Sequence, residues 1–264
     1  MNDSAPAAHN PRSPTSRPPR RARRGFRLGV RVLMVGWCLW LLGAWIVLWV
    51  VGGWTVPALR SMVFASVVGL MGLWPAVRLS QMTRRYPAVG AGGLPEIGDV
   101  TAREWARACG GTLIDWVCLN AVFQIVLWPL QLAAGWEVIQ TVWLSIAVVA
   151  WSLLTGLLIA WGRGTDRGGW RMAAMLLCIG LVVVEPALWC LGWMSGASPG
   201  VGMPMMRLSP IQALWTLSAP GMAPEQAVSI VIAQAPQIVS AAVAALVGWG
   251  VLGGLLGRQL NRRG

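Results

Sequence analysis

Apolar residues gather in six long stretches, at 32–51, 61–77, 112–134, 138–161, 172–193 and 238–256, separated by segments rich in Arg, Pro, Gly and Ser. A helix rising 1.5 Å per residue needs roughly 20 apolar residues to cross a bilayer core about 30 Å thick, so each stretch predicts a transmembrane helix. The stretch at 61–77 is short for a span and is expected to draw Arg60 and Arg78 outward by snorkelling. Gly52-Gly53-Trp54 and Pro57 close the far side of the first span, and Gly135-Trp136-Glu137 makes a tight turn between the third and fourth.

Three segments lie outside this pattern. Residues 1–27 hold too little apolar surface to offset ordering entropy and predict a disordered, Arg- and Pro-rich tail. The loop at 78–111 contains Pro87, Gly90, Gly92, Gly93 and Pro95, then a predicted helix over 101–108. The segment at 195–237 is moderately apolar and carries only Arg207 and Glu225 as charges. The fold class that follows is an all-α polytopic membrane protein, with a tail at 1–27 and a six-helix domain at 28–264.

Composition agrees: 56% of the residues are hydrophobic, 11% are charged, and the mean hydropathy is +0.62, outside the range of a water-soluble domain of this length. All 21 basic residues are Arg, which reads as codon bias in a GC-rich, bacterial genome. Without Lys the chain holds no P-loop of its own. The net charge of +12 would point to nucleic acid in a soluble protein; here it acts through topology, and no nucleic-acid partner is expected. Of the 21 arginines, 19 fall on one side of the six-span layout, leaving Arg60 and Arg207 opposite. By the positive-inside rule that side is the cytoplasm, so both termini are expected there and the protein in a bacterial inner membrane. The cluster Arg20-Arg21-Ala22-Arg23-Arg24 is suited to anionic lipid headgroups. Trp54, Trp136, Trp161, Trp170, Trp193 and Trp249 stand near span ends, where an aromatic belt is expected. Arg23-Arg24-Gly25-Phe26-Arg27-Leu28 has some likeness to a twin-arginine export signal, but no small-residue cleavage site follows, so the first helix reads as a permanent anchor.

The chemistry available is narrow. Cys38, Cys109, Cys118, Cys178 and Cys190 form no Cys-x-x-Cys pair, and the sole histidine is His9 in the tail, so no metal, haem or other cofactor is expected. No Gly-x-Ser-x-Gly elbow, Ser/His or Cys/His set or His-Glu-x-x-His helix is present, and an enzyme is not expected. Two carboxyls fall at membrane depth, Asp115 and Glu185, where an ionisable group costs at least about 2.5 kcal/mol and requires a partner or a purpose. Asp115, near the start of the third span, is placed for water or Arg107 to reach; Glu185 precedes Pro186 in the fifth. Asn120 and Gln124, spaced i, i+4 on one helix face, and Gln140 are the candidate partners of Glu185, as interhelical glue or as the lining of a path. In the last span Gly250, Gly253, Gly254 and Gly257 give two Gly-x-x-x-Gly spacings suited to tight helix contact, within the chain or between copies.

Arg103-Glu104-Trp105-Ala106-Arg107 leading into Gly111-Thr112-Leu113, together with the six-span layout, resembles the permease subunits of ABC-2-type transporters. Glu104 stands about one helical turn farther from the glycine than in that family's pattern, and the Arg-rich tail replaces its first amphipathic helix. The resemblance implies a separate ATPase subunit docking on a coupling loop at Arg103, Glu104 and Arg107, and pairing with a second copy or a paralogous permease. It also implies two short re-entrant helices before the last span, which here fall on Pro210-Ile211-Gln212-Ala213-Leu214-Trp215 and on 225–235. The competing class is a non-transporting membrane scaffold, assembly factor or sensor.

Overall fold

The computed structural model describes residues 20–52, 55–80, 102–164, 168–194, 210–219 and 222–261, with the backbone alone described at 20–30, 51–52, 102–104, 164, 168, 185–186, 188–194 and 256–261. Every regular element among them is helical: α1 (Arg20–Gly52), α2 (Val56–Val68), a π-turn (Gly69–Leu73), α3 (Trp74–Ser80), α4 (Ala102–Ala134), α5 (Val138–Gly164), α6 (Gly168–Met194), α7 (Pro210–Leu217) and α8 (Pro224–Asn261). Among the described residues five apolar spans are long enough to cross a bilayer: Arg31–Val50, Val56–Ser80, Trp105–Ala134, Val138–Arg163 and Pro224–Leu255. The apolar part of α6 whose side chains are described, Gly169–Val184, is shorter.

Helix α5 lies at the centre, packed against α4, α6, α8, α7 and α3. Half of its apolar window is buried, against 17% for α1 and 22% for α8, which stand at the periphery. Their outer faces present Leu39, Leu42, Ile46 and Trp49 on α1 and Val239, Val243, Leu246 and Val251 on α8. Apolar faces of that extent are stable against acyl chains and not against water. The described residues thus form an all-helical, membrane-embedded bundle.

Several elements differ from the sequence expectation. The second span is not short: α2, the π-turn and α3 run continuously over Val56–Ser80, so Arg60 and Arg78 lie within it rather than beyond its ends. Likewise, the helix expected at 101–108 is no separate element but the first turns of α4, which continues through Gly110 and Gly111. Two adjacent glycines weaken a helix by about 2 kcal/mol, but the flanking Cys109 and Thr112 are buried, and tertiary packing rather than propensity holds the helix here. The short helix expected at 225–235 is the start of α8, which passes through Pro236 without ending. Proline removes one hydrogen bond from an apolar helix but leaves all the others, and breaking them in lipid would cost more. Residues 20–27, expected in the tail, are helical backbone at the start of α1; residues 1–19 lie outside the described residues.

The Gly135 turn is as expected: Gly135 has φ +64 and Trp136 N–H donates to Gln131 O at 3.2 Å, a Schellman closure of α4. Trp136, in this turn at the end of α4, is buried at 4% exposure. Trp249 lies well inside α8, with its indole N–H on Leu153 O at 3.1 Å. The glycines divide as well. A Cβ at Gly69 would meet the Trp40 indole at 2.5 Å, so α1 approaches the π-turn only because no side chain stands there, whereas a Cβ at Gly250, Gly253 or Gly254 would meet nothing within 4 Å. The Gly-x-x-x-Gly positions described on α8 therefore make no close contact inside the chain.

Candidate functional site: a polar seam along α4 and α5

Thr112, Trp116, Asn120 and Gln124 follow one another at intervals of four residues, which on a helix forms a single stripe, and this stripe faces α5. Arg163 Nη1 donates to Thr112 Oγ1 at 3.1 Å. The Trp116 indole N–H and Asn120 Nδ2 both donate to Ser152 Oγ, at 3.0 and 3.1 Å. Gln124 Nε2 donates to Ser145 Oγ at 2.6 Å. The partners descend along α5 as the stripe ascends α4, the register of an antiparallel pair. Hydrogen bonds of this kind between membrane helices are worth about 0.6 kcal/mol each, so the seam fixes register more than it supplies stability.

At one end of the seam an ion pair is buried. Arg78 in α3 donates through Nη2 to Asp115 Oδ1, with Arg78 at 7% and Asp115 at 0% exposure. The sequence placed Asp115 near water or Arg107 and expected Arg78 to reach outward. Instead Arg78 turns into the bundle and supplies the countercharge, and Arg107 is exposed. Asp115 is one turn of α4 beyond Thr112, so the guanidinium groups of Arg78 and Arg163 bracket this turn. Asp115 Oδ2 and Arg78 Nε have no hydrogen-bond partner, leaving one acceptor and one donor unspent inside the protein.

At the opposite end the short helix α7 is held by its C-terminal carbonyls, which a helix leaves without internal partners. Arg60 lies over the Trp215 ring at 3.9 Å and donates through Nη2 to Trp215 O at 2.7 Å and through Nε to Ser218 Oγ at 3.3 Å. The Trp136 indole donates to Ser218 O at 3.1 Å, and Gln140 Nε2 to Leu217 O and Ala219 O at 3.4 and 3.2 Å. A cation at a helix C-terminus also opposes the negative end of the helix dipole. Arg60, half-buried, thus spends on α7 the hydrogen bonds that the sequence expected it to make with headgroups.

Of the residues singled out from the sequence, Asp115, Asn120 and Gln124 lie on the seam. Asn120 and Gln124 share a face as expected and donate to Ser152 and Ser145, and Gln140 is engaged with α7; their expected pairing with Glu185 falls outside the described residues. The side chains of Arg103, Glu104 and Glu185 lie outside the described residues. Sequence reading missed Ser145 and Ser152, and it gave Arg60, Arg78 and Trp136 interfacial places rather than these partners. The four-residue spacing from Thr112 to Gln124 was the available signal, since it extends the Asn120/Gln124 pair into a full stripe. Among the described residues no three His, Cys, Asp or Glu side chains are grouped to hold a metal ion. The chain matches no protein-family model, no curated protein and no solved structure.

Proposed function

We propose that the protein is a permease subunit of an ABC-type transporter in a bacterial inner membrane, spanning it six times with both termini in the cytoplasm and driven by a separate ATPase subunit. The observation that carries this reading is the Arg78–Asp115 pair. It ties α3, next to the segment between Ser80 and Ala102 where such an ATPase would dock, to the membrane-embedded part of α4. Because α4 is one helix from Ala102 to Ala134, a push on Arg103, Glu104 and Arg107 is delivered along the whole span. The pair carries the same push into the second span, and the seam of Asn120 and Gln124 against α5 is where the helices would slide apart. Nineteen arginines on one side supply the orientation, with α6 as the sixth span.

The second reading, a non-transporting scaffold or assembly factor, is favoured by the seam itself. Asn120 and Gln124 spend their amide N–H groups on α5 partners, as interhelical glue would. Affinity purification of the full chain from its native membrane separates the two. Co-purification of an ATPase, with a nucleotide-dependent crosslink from Arg107→Cys, supports the permease. An ATPase-free preparation whose crosslinks ignore nucleotide removes it in favour of the scaffold. Reporter fusions placing residues 84 or 163 outside the cytoplasm overturn the topology.

A further inference from the structure

We propose that residues 20–31, where α1 runs beyond its apolar span, form a docking surface for the anionic headgroups of the surrounding leaflet, and that this stretch is held helical by them. The apolar span of α1 begins at Arg31, yet the backbone is helical from Arg20. Its own sequence opposes that extension. Residues 20–31 hold six arginines, two glycines and no acidic residue, and three of the arginines, Arg20, Arg21 and Arg23, fall in the first turn. Cations there meet the positive end of the helix dipole, like charges three or four residues apart repel, and each glycine costs backbone entropy. A helix over this stretch therefore draws on anions supplied from outside it.

Where the arginines fall selects the source. Arg20, Arg24, Arg27 and Arg31 stand at i, i+4, i+7 and i+11, one line along a helix. Beyond Arg31 the same line passes through Val35, Leu42, Trp45 and Trp49, all exposed, while the bundle side of α1 carries the buried Leu33, Trp37 and Leu41. The line that meets acyl chains within the span is thus the one on which these four positions lie, over lipid and not over the protein. Helix rise sets Arg27, Arg24 and Arg20 about 6, 10 and 16 Å beyond Arg31. The headgroup layer is roughly 5–8 Å deep, and its negative potential fades over a further Debye length of about 8 Å. Arg31 and Arg27 are therefore positioned at phosphate depth, and Arg24 and Arg20 within the potential above it. A soluble acidic protein or a nucleic acid imposes no match to the lipid-facing line or to these heights; an anionic leaflet imposes both.

The test is hydrogen exchange of the full chain in nanodiscs of phosphatidylcholine, alone or mixed with phosphatidylglycerol, read at residues 20–31. A disc presents the same lipid on both faces, so the result depends neither on orientation nor on the permease reading. Exchange is expected to be at least about ten-fold slower with phosphatidylglycerol, since an arginine close to an anionic surface gains about five-fold, and high salt is expected to remove the difference. Arg20→Gln with Arg24→Gln, on the line, shrinks that difference more than Arg21→Gln with Arg23→Gln, which removes the same charge at the same mean height off the line. Equal exchange of the unaltered chain in the two discs overturns the proposal whether or not the variants fold. Equal losses in the two double variants do the same, as does protection that arises only when RNA or polyglutamate is added to phosphatidylcholine discs.

Discussion

Arg78 and Asp115 meet across 37 residues of sequence, a cation and an anion each withdrawn from solvent and each the other's countercharge. Breaking such a pair from one side leaves a charge with no compensation in low dielectric, and the penalty exceeds anything the intact pair contributes. Asp115→Ala or Arg78→Ala is therefore expected to destabilise the bundle by about 3–5 kcal/mol. Arg78→Met with Asp115→Leu, which removes both charges, is expected to recover most of that loss. Thermal unfolding in one detergent compares the three variants; a double variant no more stable than the singles would show that the pair is not what the singles disrupt.

Gly69 permits α1 to approach the second span. Gly69→Ala puts a methyl group 2.5 Å from the Trp40 indole, and the displacement is expected to cost about 1–3 kcal/mol. The same substitution at Gly72, where a Cβ meets nothing within 4 Å, is expected to be neutral or slightly stabilising. Unfolding midpoints of the two variants test the contrast.

Gly135 carries the left-handed conformation that ends α4. Gly135→Ala is expected to lose about 1–2 kcal/mol and Gly135→Asn distinctly less, because asparagine tolerates that region. The order of their melting temperatures is the measurement.

Arg60 holds α7 through a ring face and a carbonyl together, which a lysine ammonium does not reproduce. Arg60→Lys is expected to raise hydrogen exchange at residues 210–217 while leaving α4 and α5 at their original rates. Trp136→Phe, which deletes the N–H to Ser218 O, should act in the same direction at about 0.5–1.5 kcal/mol.

Much of this fold is written in single-residue hydrophobicity. Length and apolarity alone locate α1, α4, α5 and α8, because in lipid the backbone has no alternative to the helix. The turn at Gly135 is equally local, since a glycine between two apolar runs names its own conformation. What failed to show was whatever depends on a distant partner. Arg78 looked like a span-end residue because nothing in its neighbourhood announces Asp115. Gly110-Gly111 and Pro236 looked like breaks because their local cost is visible, while the tertiary burial and lipid environment that outweigh it are not. Asn120 and Gln124 were legible as a shared face, yet the serines that answer them, Ser145 and Ser152, are too common in sequence to stand out.

Helix α7 is anchored by Arg60, Trp136 and Gln140, all donated by parts of the chain far upstream of it. Its seat is thus independent of the covalent link to α6. A backbone cut anywhere between Met194 and Pro210 should leave two fragments that stay together as one particle through extraction and chromatography, and coexpressing 1–194 with 210–264 should rebuild the bundle from separate polypeptides.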